Sequence, residues 1–172
     1  MDYPAGYPYS DKTYNYDPVG NRDSTVNGGT VDYQNNELNE YTSVGGTPFA
    51  SDLRGNLTAD GPHVYQYDLE NRLTAVDEDI SYTYNPFGLR NGKTVNEDAT
   101  LYILDSNREI EEWEGGELVR KFIYGVGIDE PLCMLHAPSS TLYYYHFDAL
   151  GSVTNLTNST GLTRNPLNSP TR

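Results

Sequence analysis

A short pattern recurs along this chain and limits the folds that it can adopt. It runs aromatic, any residue, usually a second aromatic, Asp or Asn, two residues, and usually Gly. The copies begin at Tyr14, Phe49, Tyr65, Tyr82, Tyr102 and Tyr145. The second aromatic position holds Tyr16, Tyr67, Tyr84 and Phe147 in four of these copies. Self-similarity of this kind is the sequence signature of a repeat architecture.

Each position of the repeat has a structural meaning. Two aromatic residues separated by one residue lie on the same face of a strand, because side chains alternate with period two. The Asp or Asn that follows favours the first position of a turn, where its side chain bonds back to the backbone. These residues are Asp17, Asp52, Asp68, Asn85, Asp105 and Asp148.

The last position of the repeat favours a residue that adopts a left-handed backbone conformation and closes a hairpin. It is occupied by Gly20, Gly55, Gly88 and Gly151. Asn71 stands there in the third copy, and Asn tolerates this conformation best after Gly. Arg108 stands there in the fifth copy, where we expect a turn one residue shorter, around Ser106-Asn107. In the two long gaps, Glu40-Tyr41 and Phe122–Gly125 are candidates for degenerate copies.

A second set of turn signals separates the copies and includes Asn27-Gly28-Gly29, Gly45-Gly46, Gly115-Gly116 and Thr160-Gly161. Two turns per unit leave two strands of about six residues each. The sequence therefore predicts an all-β fold, an antiparallel meander of hairpins that forms a curved sheet. The acidic segment from Arg108 to Lys121 is the best helix candidate, but its Gly-Gly pair predicts a hairpin instead.

Charge and hydropathy exclude several classes of protein. The chain has 172 residues, with 25 acidic and 11 basic side chains and a net charge of −14. It has no basic patch to neutralise phosphates, which argues against nucleic-acid binding. No apolar run is long enough to predict a membrane-spanning helix. The N-terminus lacks the basic and apolar regions of a secretory signal.

The residue types that usually carry chemistry are sparse here. The histidines, His63, His136 and His146, fall in three different units without metal-ligand spacing. Cys133 is the only cysteine and lies in an apolar stretch, so a buried packing role is favoured over a nucleophile paired with His136. We predict no catalytic residue, no metal site and no cofactor.

The charged residues allow more than one interpretation. Arg22, Arg72, Arg90 and Arg108 follow the repeat turns. They could form a ladder, each stacked on a tyrosine or paired with an Asp of the neighbouring unit, or they could be exposed solubilising charges. The acidic clusters at 77–79 and 109–114 are interpreted as solvated faces, although two of these carboxylates could mimic a glycosidase pair.

The repeats lead into a run with a specific resemblance. Tyr143–Val153 reads Tyr-Tyr-Tyr-His-Phe-Asp-Ala-Leu-Gly-Ser-Val. Together with the spaced repeats, it resembles the YD repeats of Rhs and teneurin-type proteins and the start of the Rhs repeat-associated core segment. Phe122–Gly125 and Asp129–Leu132 resemble the elements that precede that segment in the family. The resemblance covers roughly Tyr14 to Gly161.

The resemblance implies both an architecture and a role. In this family many repeats spiral into a hollow β-shell, which in bacterial members encloses a C-terminal toxin of a secreted or contact-dependent system. Animal members use the shell in cell-adhesion ectodomains. This chain is far shorter than a shell, so the resemblance implies a truncated, non-enzymatic shell segment without its toxin. The parent protein would be secreted or at the cell surface, with the rest of the shell and the toxin payload as partners.

The same reasoning predicts a domain organisation. Residues 1–13 are an irregular N-terminal segment, and residues 14–142 are the repeat sheet. Residues 143–161 begin the core segment, and residues 162–172 form a divergent, disordered tail. Because a sheet cut from a shell has two open edges, we expect the isolated chain to be poorly soluble, oligomeric or marginally stable.

Other functions stay open. Exposed tyrosine rows could stack on sugar rings, which would make the chain an adhesion or carbohydrate-binding module. Buried rows would instead indicate a scaffold. Asp17-Pro18-Val19-Gly20 superficially matches the self-cleavage motif of the bacterial family, but it is in register with the other repeats and is interpreted as a turn. An enzyme is the third and least favoured hypothesis.

Overall fold

The computed structural model describes residues 12–164 and confirms the antiparallel all-β fold. The chain divides into two compact units, the first ending at Glu78 and the second beginning at Asp79. Nearly all of the predicted N-terminal segment 1–13 lies outside the described residues, as do residues 165–172 of the predicted tail.

The first unit consists of short strands joined by tight turns. Its strands are β1 (Thr13–Tyr16), β2 (Arg22–Val26), β3 (Thr30–Asn35), β4 (Tyr41–Val44), β5 (Thr47–Pro48), β6 (Ala50–Ser51), β7 (Leu57–Ala59), β8 (Tyr65–Tyr67) and β9 (Leu73–Val76). Strands β1 to β5 form one sheet in chain order, while β6 pairs with β7 and β8 with β9. Each pairing is antiparallel, as short connections require.

The second unit is a longer meander. Its strands are β10 (Ile80–Tyr84), β11 (Arg90–Val95), β12 (Asp98–Asp105), β13 (Arg108–Glu114), β14 (Glu117–Tyr124), β15 (Pro131–His136), β16 (Thr141–Phe147), β17 (Val153–Asn158) and β18 (Thr163–Arg164). From β11 onward, each strand pairs with the one before it. The acidic segment forms the predicted hairpin, β13 and β14 joined at Gly115-Gly116. A single 3-10 turn, Ala137–Ser139, interrupts the described strands.

The sheets are a single layer with little interior. Among the described residues, the buried apolar side chains are Cys133, Met134 and Leu156, at 9%, 6% and 8% exposure. Cys133 therefore has the packing environment that its apolar neighbours indicated. Most other strand residues are half-buried, because each covers only part of its neighbour on the same face. Strand pairing and same-face contacts, and not a central core, hold these units together.

The described part of the chain contains no helix of the length and apolarity needed to cross a membrane.

Candidate functional site

The recurring feature of the structure is a five-residue turn, and Asp52 shows its geometry. Oδ1 of Asp52 accepts hydrogen bonds from the backbone N–H groups of Arg54, at 2.8 Å, and Asn56, at 3.0 Å. The backbone of Asp52 also bonds to Gly55 and Asn56, at 3.0 and 2.9 Å. Gly55 has a φ of +82°, a conformation that favours glycine. One carboxylate thus closes the whole loop.

The same hydrogen-bond pattern recurs in both units, and we call these loops the repeat turns. They begin at Asp17, Asn36, Asp52, Asp68, Asn85, Asp148 and Asn158. The fourth residue has a positive φ in every case: Gly20, Asn39, Gly55, Asn71, Gly88, Gly151 and Gly161. An Asp or Asn side chain and a left-handed residue three places later are therefore sufficient for the turn.

Two repeat turns lie outside the six predicted copies. In the first gap the turn begins at Asn36, ahead of the Glu40-Tyr41 pair proposed for it, and Asn39 takes the left-handed position. The other begins at Asn158, follows no aromatic pair, and includes the predicted separating turn Thr160-Gly161. The signal that could have found both is the spacing Asn-x-x-Asn or Asn-x-x-Gly, because the hydrogen bonds need no aromatic residue.

Two predicted copies are placed differently from the others. Asp105 pairs directly with Arg108 across the two-residue turn Ser106-Asn107, with Ser106 at a φ of +58°. The chain turns one residue early there because Arg108 does not suit the left-handed position. Phe49 lies between β5 and β6, and its N–H donates to the carbonyl of Thr42 at 2.9 Å.

The turn carboxylates are held in their ionised form. The pKa of Asp52 is lowered to about 2, first by the side-chain hydrogen bond from Asn56 and then by backbone N–H groups. Hydrogen bonds likewise lower the pKa of Asp17, through the Asn21 side chain, and of Asp68 and Asp148, mainly through backbone N–H groups. These oxygens are occupied by the turn itself, so their role in the structure is to close hairpins.

Neighbouring repeat turns of the first unit are bonded to one another. Nδ2 of Asn21 donates to Oδ1 of Asn39 at 2.9 Å, which joins the first turn to the second. Nδ2 of Asn56 donates to Oδ1 of Asn71 at 2.9 Å, which joins the third turn to the fourth. In both pairs, Asn at the left-handed position of one turn accepts from Asn at the last position of the turn before it.

Three of the four arginines that follow the repeat turns lie over tyrosine rings. The pairs are Arg22 with Tyr14 and Tyr33, Arg90 with Tyr82, and Arg108 with Tyr124, at 5.1 to 5.6 Å from guanidinium carbon to ring centroid. Such distances are those of cation–π contacts. At the fourth position, Nε of Arg72 donates to Oδ2 of Asp68, in its own repeat turn, at 2.6 Å. The arginines that follow the repeat turns are therefore engaged with tyrosine rings or with turn carboxylates.

One face of the second unit gathers tyrosines and charged groups, and we call it the tyrosine face. It consists of Tyr82, Tyr102, Glu109, Glu112, Arg120, Tyr124 and Tyr145. Strand register sets Tyr102 opposite Glu112 and Glu112 opposite Arg120. The side chains of Glu112 and Arg120 form an ion pair. The hydroxyl of Tyr124 donates to the backbone carbonyl of Glu109 at 2.8 Å.

Partial burial shapes the electrostatics of the tyrosine face. Burial raises the pKa of Glu109 to about 7, with the neighbouring Glu112 acting in the same direction. Burial also raises the pKa of Tyr145 to about 12. The sequence interpretation treated residues 109–114 as a solvated face, but Glu109 and Glu112 lie partly buried on the tyrosine face, while Glu111 pairs with Lys121 at 2.8 Å. A β-bulge between Ile103 and Leu104 brings Glu109 onto the same face as Glu112.

The repeat aromatics are half-buried or exposed, and none is fully buried. Half-buried side chains are Phe49, Tyr65, Tyr67, Tyr82, Tyr84, Tyr102 and Tyr145. Tyr14, Tyr16 and Phe147 are 46%, 58% and 38% exposed. The rings contribute both to packing along the sheet and to its accessible surface.

The remaining chemistry-bearing groups are dispersed. Within residues 12–164, no group of three or more His, Cys, Asp or Glu side chains is arranged to hold a metal ion. His63 bonds to Asp77 at 2.8 Å, His136 to Ser139 at 2.7 Å, and His146 to Thr157 at 2.7 Å. A cavity of about 410 Å³ opens in the second unit, lined mainly by Thr, Gly and apolar residues that include Leu101 and Trp113.

Comparison with known proteins gives sequence relatives but no match to a family model. The chain is 34% identical over 164 residues to the tRNA3(Ser)-specific nuclease WapA of Bacillus spizizenii, which covers 87% of this chain and 7% of that protein. It is 33% identical over 164 residues to the tRNA nuclease WapA of Bacillus subtilis strain 168, with the same coverage. The chain thus spans about 7% of the length of these relatives.

Among solved structures, the chain aligns with the crystal structure of TcdB2-TccC3-TEV at 10% identity and a TM-score of 0.32. That alignment covers 90% of this chain and 14% of the other. The sequence similarity to the WapA nucleases supports an Rhs-type relationship for this chain.

Proposed function

We propose that this chain is a structural, non-enzymatic segment of a YD-repeat shell of the Rhs type. The shell would enclose or display a C-terminal toxin in a bacterial secreted or contact-dependent toxin system. The segment would reach the exterior as part of a longer parent protein. Its partners would be the rest of the shell and the toxin payload.

The observation that carries this proposal is the repeat turn. At each repeat turn, the Asp or Asn side chain is occupied by backbone N–H groups of its own loop. Polar residues used in this way fix chain geometry. Their regular recurrence adds one hairpin after another, and a repeat architecture grows by the addition of such units.

The comparisons support the proposal from a different direction. The relatives are named tRNA nucleases, and the matched stretch is 7% of their length. A stretch made of repeat turns and half-buried tyrosines is better suited to a supporting region than to the site that cleaves tRNA. The net charge of −14 also opposes binding to a polyanionic substrate.

A direct test is incubation of the purified chain with tRNA. We expect no cleavage beyond that seen with a buffer control. Cleavage that one Asp or Glu substitution abolishes would contradict the non-enzymatic role.

A chimera tests the supporting role itself. This chain would replace the matched segment of the Bacillus subtilis nuclease, and protease resistance of the regions outside the graft would be measured. We expect resistance close to that of the parent, and loss of resistance when Asp52 and Asp68 are both replaced by Ala. A matched control replaces Asp23 and Asp32, which lie outside the repeat turns. Equal resistance in all three chimeras would overturn the proposal.

A second candidate is a carbohydrate-binding surface, favoured by the exposure of Tyr14 and Tyr16. Exposed aromatic rings can stack on sugar rings. A glycan array would show binding that disappears in the Tyr14→Ala and Tyr16→Ala variants and persists in Phe87→Ala. An array without binding would remove this candidate.

A further inference from the structure

The repeat turns of the first unit form a row whose tips are apolar. The first and second turns are joined by Asn21 and Asn39, and the third and fourth by Asn56 and Asn71, both at 2.9 Å. The second and third turns also adjoin, since a Cβ added at Gly55 would lie 3.6 Å from the Glu40 carboxylate. We call the apolar residues at the four tips the tip row: Val19, Leu38, Leu53 and Leu69.

The tip row is far more exposed than apolar side chains usually are. Val19, Leu38, Leu53 and Leu69 are 73%, 75%, 107% and 92% exposed. Turn tips normally carry polar residues, since they project into water. The tips at the opposite ends of these strands follow that rule, with Asn27-Gly28-Gly29 and Gly45-Gly46. An apolar row confined to one side of a unit marks an interaction surface.

Charges beside the tips indicate what covers the row. Glu37 stands next to Leu38 on the second turn, and Arg54 next to Leu53 on the third. The Arg54 side chain is 40% exposed although it bonds to the Asp68 carbonyl at 2.9 Å and pairs with the Asp52 carboxylate at 3.4 Å. If an identical row lies against this one in the opposite direction, the second turn faces the third. Each Glu37 then meets an Arg54 of the other copy, as an isologous contact requires.

We propose that the tip row is a self-association surface on which a second copy of this chain docks antiparallel, with its apolar tips seated between those of the first. Successive hairpins are two strands apart, about 10 Å, which leaves room for one Leu side chain between neighbouring tips. The contact is narrow and belongs to the small, transient class of interfaces. This association is additional to the proposed role as a shell segment and does not depend on it.

Sedimentation velocity of the full chain tests the proposal. The weight-average mass should rise from the monomer value of 19.3 kDa towards twice that value. The rise should occur in the micromolar range or above, because interfaces of small area are weak and transient. A Leu53→Ser and Leu69→Ser double variant should weaken the association about tenfold or more, because apolar anchors dominate such contacts. Val64→Ser, an exposed apolar residue outside the row, should leave it unchanged.

Charge-reversal variants distinguish association through the tip row from nonspecific self-association. Glu37→Arg and Arg54→Glu should each weaken self-association about tenfold, because like charges then meet. An equimolar mixture of the two variants should restore it, since each new contact pairs opposite charges. Circular dichroism and a melting curve would establish that both variants fold, and Glu37→Arg alone carries the test if Arg54→Glu does not.

Three outcomes would overturn the proposal: a monomer throughout the concentration range, association that the tip variants leave intact, or a mixture no tighter than its components. Association that persists in the tip variants would assign self-association to open strand edges instead.

Discussion

The side chains of Asn56 and Asn71 meet at 2.9 Å, amide nitrogen to amide oxygen, although they belong to different repeat turns. Asn71 occupies the place that Gly takes in the turn before it, with a φ of +60°. Its side chain does what Gly cannot, because it accepts a hydrogen bond from the neighbouring turn. Asn21 and Asn39 repeat this relationship. Asn at the left-handed position is thus a link between hairpins as well as a conformational substitute for Gly.

This link should be measurable as a coupling between the two positions. A double-mutant cycle with Asn56→Ala and Asn71→Gly should give a coupling free energy of about 0.5 kcal/mol, the lower end for an intramolecular hydrogen bond, because the pair is exposed. Urea unfolding supplies the four stabilities. A parallel cycle between Asn56 and Asn39, which belong to different pairs, should show no coupling. Equal values in the two cycles would contradict a specific link.

The turn at Asn96-Glu97 should be improved by glycine. Both residues have positive φ, +49° and +73°, in a two-residue hairpin turn of the type that prefers Gly at its second position. Glu97→Gly should therefore stabilise the chain by about 1 kcal/mol, since it relieves a left-handed non-Gly residue. The mirror experiment is Gly116→Ala, at a φ of +83° with open space around it, which should cost a similar amount. Thermal melts of both variants provide the measurement. Shifts of the melting temperature in the same direction would contradict this assignment.

Acid should weaken the repeat turns through their carboxylates. The folded-state pKa of Asp52 is about 2, below its ordinary value of 3.8. A depressed pKa contributes stability that is complete above the ordinary value and is lost as pH falls towards about 2. Asp52→Asn should be less stable than wild type at pH 6, and the difference should vanish near pH 2. Urea midpoints across this range provide the measurement, and a pH-independent difference would show that the carboxylate charge is not involved.

Glu109 should have the opposite pH dependence. Its folded-state pKa is raised to about 7 from an ordinary 4.5, so the folded chain prefers the protonated carboxyl. Stability from this group is complete below pH 4.5 and is lost as pH rises through about 7. Glu109→Gln should therefore be more stable than wild type at pH 8. Its stability should also lack the fall that wild type shows as pH rises through about 7.

Glu111→Gln is the matched control for this prediction. The Lys121 side chain lowers the pKa of Glu111, so this variant should lose stability at neutral pH relative to wild type. Parallel pH profiles for the two glutamine variants would refute the partial burial of Glu109 on the tyrosine face.

Much of the fold was predictable because the repeat acts locally. An Asp and a left-handed residue three places later bond within one loop, so Asp17, Asp68 and Asp148 could be placed as turn residues without knowing their neighbours. The Asn36 turn was not predicted, and the Asn158 turn was predicted only as a separating turn, because the repeat pattern includes an aromatic pair that the turn does not need. Asp105 shows the limit of the pattern, because Arg108 at the last position forces a shorter turn.

The linear order of residues determined where this chain reverses and that it forms antiparallel strands, because both depend on interactions spanning only a few residues. Tertiary structure decided which distant groups meet: Asn56 with Asn71, Arg22 with Tyr33, and Glu109 with Glu112 beside Tyr102. Strand register and the β-bulges set those meetings, and a shift of one residue would send each side chain to the opposite face. The partial burial of Glu109 follows from that packing, which no local pattern encodes.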